Sequence, residues 1–266
     1  AGGLDHRAHG QEVLAHEQRR GVARRPGAQQ LGARRDRARA AGERGPLWIA
    51  TRRQTAGKGR AGLAWSEAST GNVAATLLFE PGCAPAQLPE LSLVAGVAAH
   101  ETIAGALPAR TASLVELKWP NDVLIAGAKT SGILIESGNY GGTTVSVIGI
   151  GINVASAPTS VDRMTTCLAD QGCTLDAEAV LNRLAAHAAQ WLDIWRGTDG
   201  FAAIRSAWIT RAMPIGRALE IKTNDGPVAG TFAGLDHDGA LLIDLAPDNR
   251  RRFTYGDVSV LPARQA

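Results

Sequence analysis

The stretch KWPNDVLIAGAKTSGILIE runs from Lys118 to Glu136 and places two cations, an amide and a carboxylate beside two apolar runs. Lysine is a compact point charge suited to a phosphate or a carboxylate. Asp122 is a residue type that can orient a nucleophilic amine or help to hold a magnesium ion. Asn121 and Asp122 follow Pro120, which ends a strand and fixes the chain direction, so both side chains can point into a cleft. By itself, Asn-Asp after proline is also ordinary turn chemistry. Lys129 sits seven residues beyond Asp122 at the start of the second apolar run, where a hairpin would carry it to the same cleft. Ser131 and Gly132 would let a ligand lie against the backbone.

A second chemical stretch is QTAGKGRAGLAW, Gln54 to Trp65, with glycines at 57, 59 and 62 and cations at Lys58 and Arg60. Glycines let backbone N–H groups approach a phosphate, and a flexible basic loop can close over an anionic ligand. The spacing follows G-x-G-x-x-G, but no helix clearly follows it, so it is not a dinucleotide fingerprint. Taken alone, it is equally a surface loop with solvated charges.

The elements that must position these residues are legible from Leu47 onward. LWIAT (47–51) and NVAATLLFE (72–80) read as buried strands. Residues 87–107 read as a helix, with Pro89 confined to its first turn. LVELKWP is a strand ending at Pro120. DVLIAG and SGILIE flank Ala126-Gly127-Ala128 as a hairpin, and TTVSVIGIGINV (143–154) is a further strand. Helices are expected over 176–196, with Asp176 as N-cap and Gly197 as stop, and over 199–211. After Pro214 come short strands, ALEIKT, VAGTFAGLD, ALLIDL and RRFTYGDVSVL, separated by Asn-Asp-Gly, Asp-Gly and Pro-Asp-Asn turns. That texture suggests a small β-barrel with a domain boundary near Met213.

Bulk properties bound the class. The 266 residues are 45% hydrophobic and 20% charged, as in a soluble globular protein. No apolar run approaches the ~20 residues of a membrane span, and no secretory signal is evident. Cys83, Cys167 and Cys173 are odd in number and lack metal-site spacing, so reduced thiols and a cytoplasmic location are expected. The net charge of +3 is uneven: residues 1–46 hold ten arginines against five acids, leaving the remainder at −2. That Arg-rich segment has no aromatic residue and no apolar period, so it is expected to be disordered or mistranslated. An arm binding nucleic acid is the alternative.

QTAGKGRAGLAW, KWPND…K…GILIE and IGIGIN, in this order, closely resemble biotin protein ligases, and the resemblance covers about 47–262. It implies an α+β fold: a mixed β-sheet catalytic domain of the class II synthetase-like type over 47–213, and an SH3-like barrel over 214–266. It also implies a two-step reaction. Biotin is activated with ATP and Mg2+ to biotinyl-5′-AMP, then passed to a lysine of a biotin carboxyl carrier protein or domain. A lipoate-type ligase of the same fold is the alternative.

By motif, Lys129 resembles the lysine bridging the biotin carboxylate and the α-phosphate. Gln54 resembles a biotin contact. Gly57, Lys58, Gly59 and Arg60 match the loop that folds over biotin and the adenylate, and Trp65 resembles the tryptophan near the adenine. Gly132 matches a glycine packed beside biotin, and Asn153 an asparagine near the nucleotide. Asp122 is expected to position the incoming lysine, and Lys118, with Asn121, to steady the phosphates or the motif. Lys129, Asp122 and Arg60 form the expected catalytic set, with no resident metal.

The chain departs from the family pattern in three places. Lys58 and Leu63 stand where arginine is usual. A Ser-Thr-Asn biotin segment is expected upstream of Gln54, yet residues 27–46 contain no Ser, Thr or Asn. The codons CAG-CAA-CTC for Gln29-Gln30-Leu31 would contain AGC-AAC, Ser-Asn, when read one base later. A shifted frame over residues 1 to about 40 is therefore expected. If the segment is genuine, biotin affinity should be weak, as in a catalytically impaired relic. Nothing in 1–46 resembles a DNA-binding helix-turn-helix. An exposed sheet edge makes a homodimer an expectation.

Overall fold

The computed structural model describes residues 22–24, 46–51, 57–58, 64–65, 70–140, 142–159 and 164–261. In chain order the strands are β1 (Val22–Arg24), β2 (Leu47–Thr51), β3 (Gly57–Lys58), β4 (Ala64–Trp65) and β5 (Val73–Phe79). Helices α1 (Glu90–Ala104) and α2 (Ala109–Ala112) follow. Then come β6 (Val115–Lys118), β7 (Asp122–Ile125), β8 (Ala128–Tyr140) and β9 (Thr143–Ile152), and helices α3 (Ala177–Trp195) and α4 (Gly200–Arg211). The chain closes with β10 (Ala218–Thr223), β11 (Gly226–Leu235), β12 (Leu241–Ala246), β13 (Asn249–Phe253) and β14 (Asp257–Val260).

Seven strands form one mixed sheet in the order β1-β2-β5-β9-β8-β7-β6, parallel at β1–β2 and antiparallel elsewhere. One face is aliphatic. Val73, Ala75, Leu77, Ile133, Ile148, Ile150 and Ile152 pack into the core with α1 and α3. Helix α1 is apolar around most of its circumference, with ten of its fifteen residues buried, as suits a helix enclosed by a sheet and by other helices. Its two acids are used inward: Trp195 Nε1 donates to Glu90 at 2.6 Å, and Trp191 Nε1 to Glu101 at 2.7 Å. Asp176 caps α3 by accepting from Ala179 N at 2.8 Å, an interaction of about 1 kcal/mol.

The hairpin turn uses positive φ at Ala126 (50°) and Gly127 (81°), the pairing that lets a two-residue turn follow the strand twist. Strand β8 runs on to Tyr140, beyond the 131–136 expected, because β9 pairs with it along its length. The three cysteines are free.

Within the Arg-rich segment, Val22–Arg24 form β1, which pairs with the edge of β2. Backbone pairing of this kind does not depend on an apolar side-chain pattern. RRFTYGDVSVL is two strands rather than one, broken at Gly256, whose φ of +141° suits glycine. The C-terminal strands form an antiparallel sheet in the order β13-β12-β11-β10-β14. No helix among the described residues is long and apolar enough to cross a membrane.

Candidate active site

Strand pairing puts Asp122 opposite Gly132, Gly132 opposite Gly151, and Gly151 opposite Ala74. The next row on that face joins Leu134, Gly149 and Thr76. Paired residues share a face of the sheet, so this is the face turned away from the aliphatic core. It is floored by small residues, and Gly132, Gly149 and Gly151 are each partly exposed. A Cβ added at Gly149 would meet only Leu134, no nearer than 3.6 Å. Such a floor lets a ligand approach the backbone closely.

The charged residues stand at the β7–β8 end of this floor. A register shift between Val123 and Leu124 sets Lys129 opposite Leu124, on the Asp122 side. Lys129 Nζ lies 2.6 Å from Asp122 Oδ1, and Lys118 Nζ 2.9 Å from Oδ2. The side chains are 16%, 11% and 4% exposed for Lys129, Lys118 and Asp122. Burial alone would push the Asp122 carboxyl up. The two ammonium groups and their hydrogen bonds outweigh it and hold the group below its ordinary value. Placed between two cations, it contributes charge and orientation to the cluster.

Both asparagines act as braces. Asn121 Nδ2 donates to the Ile133 carbonyl at 2.6 Å, and Ile133 N donates back to the Asn121 carbonyl at 2.9 Å. This ties the start of β7 to β8. Asn153 Nδ2 donates to Thr166 O, while Thr166 N donates to Lys129 O and Lys129 N to Met164 O. The backbone of Lys129 is therefore clamped from the 164–166 segment.

Of the sequence candidates, Lys118, Asn121, Asp122, Lys129, Gly132 and Asn153 are brought together on these elements. Gly57, Lys58 and Trp65 have described backbones only, in the two-stranded ribbon where Gly57 pairs with Trp65. Gln54, Gly59 and Arg60, and the departure at Leu63, lie outside the described residues.

Sequence reasoning missed Asn72. Its Oδ1 accepts from the backbone N–H groups of Val154, Ala155 and Ser156 at 2.9, 3.0 and 3.3 Å, and its Nδ2 donates to Ser156 O. It fixes the loop leaving Asn153. The only local signal was an asparagine at the mouth of an otherwise apolar strand. Thr130 was also missed: its hydroxyl is buried without a hydrogen-bond partner, beside Lys129.

This geometry has known counterparts. The biotin/lipoate A/B protein ligase family matches residues 33–153, and the biotin protein ligase C-terminal domain matches 215–261. A biotin–[acetyl-CoA-carboxylase] ligase of Paracoccus denitrificans is 36% identical over 211 residues, covering 77% of this chain and 86% of that protein. The bifunctional ligase/repressor BirA of Bacillus subtilis is 33% identical, and the match covers 75% of this chain but 62% of that protein. Among solved structures, the biotin protein ligase from Aquifex aeolicus, in complex with biotin and ATP, superposes with a TM-score of 0.68 at 25% identity. That match covers 82% of this chain and 89% of the Aquifex chain. The clustered lysines and glycine floor thus lie in a chain that belongs to the biotin protein ligase family.

Proposed function

We propose that the protein is a biotin–[acetyl-CoA-carboxylase] ligase that forms biotinyl-5′-AMP and transfers the biotinyl group to a carrier-domain lysine. The observation that carries this is the convergence of Lys118 and Lys129 on Asp122 at the edge of a glycine floor. In the first step a biotin carboxylate oxygen attacks the α-phosphorus of ATP, and the bond to the β-phosphate breaks to release pyrophosphate. Two anions must meet, so cations are needed that neutralise both and are not consumed. Lys129 takes that bridging role, held by Asp122 and by its clamped backbone. In the second step the carrier lysine's neutral amine attacks the acyl carbon, the bond from that carbon to the phosphate oxygen breaks, AMP leaves with the electron pair, and the amine's surplus proton passes to solvent. Asp122 attracts and orients the incoming amine.

Lys118 steadies the motif, the phosphates being the alternative. Gln54 contacts biotin, and Gly57, Lys58, Gly59 and Arg60 cover the adenylate. Trp65 flanks the adenine, Gly132 lies under biotin, and Asn153 stands near the nucleotide. Mg2+ enters as part of the substrate, carried on the ATP phosphates, as this ion commonly does. Asp122 does not fit as its resident ligand, because both of its oxygens face lysines.

The reading keeps a catalytic domain over 47–213 and a second unit over 214–266. It takes the five-stranded sheet as an SH3-like barrel. Irregularities between Phe232 and Gly234, and between Asp244 and Ala246, supply bending that closure requires. It also keeps a frame-shifted origin for residues 1 to about 40, a cytoplasmic location and a homodimer through a sheet edge.

The test is transfer of biotin to a biotin carboxyl carrier domain, with lipoate as competitor. ATP-dependent biotinylation unaffected by lipoate is expected; lipoyl transfer would favour the lipoate reading. Titration calorimetry with biotin addresses the upstream segment. Weak or absent binding would point to an incomplete pocket, and gene sequencing revealing an in-frame start without a Ser-Thr-Asn alternative would remove the frame-shift account.

A further inference from the structure

Lys118 reaches beyond the catalytic unit. Its ammonium lies 2.9 Å from Asp122 Oδ2 and also donates to the Val258 carbonyl at 2.8 Å. Val258 belongs to β14, an edge strand of the C-terminal sheet, 140 residues away in sequence. An ammonium has three N–H directions, and two of Lys118's are committed to acceptors in different units. It cannot turn without leaving either a buried carboxylate or a buried carbonyl without its donor, and both losses are costly.

The next residue repeats the arrangement: Trp119 Nε1 donates to the Gly239 carbonyl at 3.1 Å. Gly239 sits in the β11–β12 turn with φ +86°, and a Cβ there would stand 2.8 Å from Leu93 and 3.1 Å from Phe201. That turn is thus pressed against α1 and α4. A third tie lies away from the charged cluster, where Arg205 Nε donates to the Asp236 carbonyl at 2.8 Å.

We infer that Lys118 is a positioning residue through which the C-terminal sheet fixes Asp122 and, through it, Lys129. The sheet is then a working part of the adenylation centre. This inference rests on the ligase reading above. In it, the Val258 carbonyl orients Lys118, Lys118 fixes one oxygen of Asp122, and the other oxygen fixes the Lys129 ammonium between the two reacting anions. Loosening the sheet should misplace Lys129 through this chain of contacts.

The test is biotin-dependent ATP–pyrophosphate exchange by the full chain, comparing Lys118→Met, Lys118→Arg, Arg205→Ala and the Lys118→Met/Arg205→Ala double variant. Lys118→Met should lower kcat by on the order of 10²-fold, the scale of an ångström-sized misplacement, with the KM values for biotin and ATP little changed. Lys118→Arg should recover part of the loss. Arg205→Ala should lower kcat in the wild-type background and add nothing to Lys118→Met, because the connection is already cut. Activity of Lys118→Met close to wild type, an effect confined to the KM for ATP, or independent multiplication of the two losses would overturn the inference.

Amide exchange in Arg205→Ala supplies a readout that needs neither a folded Lys118→Met protein nor an active wild type. Faster exchange at 118–122 together with 257–260 is expected, and faster exchange at 257–260 alone would overturn the proposal. Wild-type protein inactive in pyrophosphate exchange would count against the ligase reading, while the amide-exchange result would still decide the positioning role.

Discussion

Two charge clusters in this molecule are built from inverted ingredients. At the end of the glycine floor, Lys118 and Lys129 share Asp122. In the C-terminal sheet, Asp236 and Asp238 share Arg252. The second cluster lies open to water, with Arg252 44% and Asp238 45% exposed, against 4% for Asp122. Its own members satisfy it: Asp236 is held down to about 2, chiefly by the hydrogen bond from His237, with Arg252 assisting. Although Asp236, His237 and Asp238 approach a metal-like grouping, Arg252 already supplies their counter-charge. Screened exposed pairs contribute little, whereas a buried carboxylate between two partly buried ammonium groups dictates where all three sit. Burial, rather than the number of charges, separates a site from a decorated surface.

The contrast is sharpest for Asp122→Ala. It leaves Lys118 and Lys129, both partly exposed, without their shared carboxylate and should destabilise the protein by about 1–3 kcal/mol, read by urea unfolding. A loss no greater than that of a surface mutant would erase the distinction. Acid should act next. A carboxylate with a depressed folded value contributes stability that is present above its unfolded value of about 3.9. The contribution disappears as pH falls through the lower folded value. Melting temperature should therefore fall on acidification below about pH 4, and in Lys118→Met, which lacks one of the cations that depress the folded value, the fall should be smaller. An identical acid profile for the two proteins would show that Lys118 does not hold the charge on Asp122. Arg252→Ala, by contrast, should leave the melting temperature nearly unchanged. Smallest of all, Thr130→Val replaces a buried hydroxyl without a partner and should raise stability by about 1 kcal/mol or less; a clear loss would mean that this hydroxyl is satisfied in solution.

Much of the hairpin side of the site was legible because its signals are local. Apolar runs, Pro120 and the Ala126-Gly127 turn set the strands, and strand alternation places Asp122 and Gly132 on one face. The braces were not legible. Asn72 acts on residues 82 to 84 positions away, and Lys118 on a carbonyl 140 positions away. A backbone acceptor such as Val258 O has no side-chain signature, so no residue pattern announces it. The break between β13 and β14 was missed because Phe253, Tyr255 and Val258 read as one β-rich run, while Gly256 redirects the chain between them.

The central claim is that Lys129, held by Asp122, joins two anions on the glycine floor. It is tested most directly by chromatographic detection of biotinyl-5′-AMP after mixing the full chain with biotin and Mg-ATP, beside Lys129→Ala. Removal of one charge-stabilising group in a preorganised site typically costs about 10²–10³ in rate. The account predicts adenylate from the wild type and a loss of that order in the variant. Adenylate formed equally fast by Lys129→Ala would contradict it.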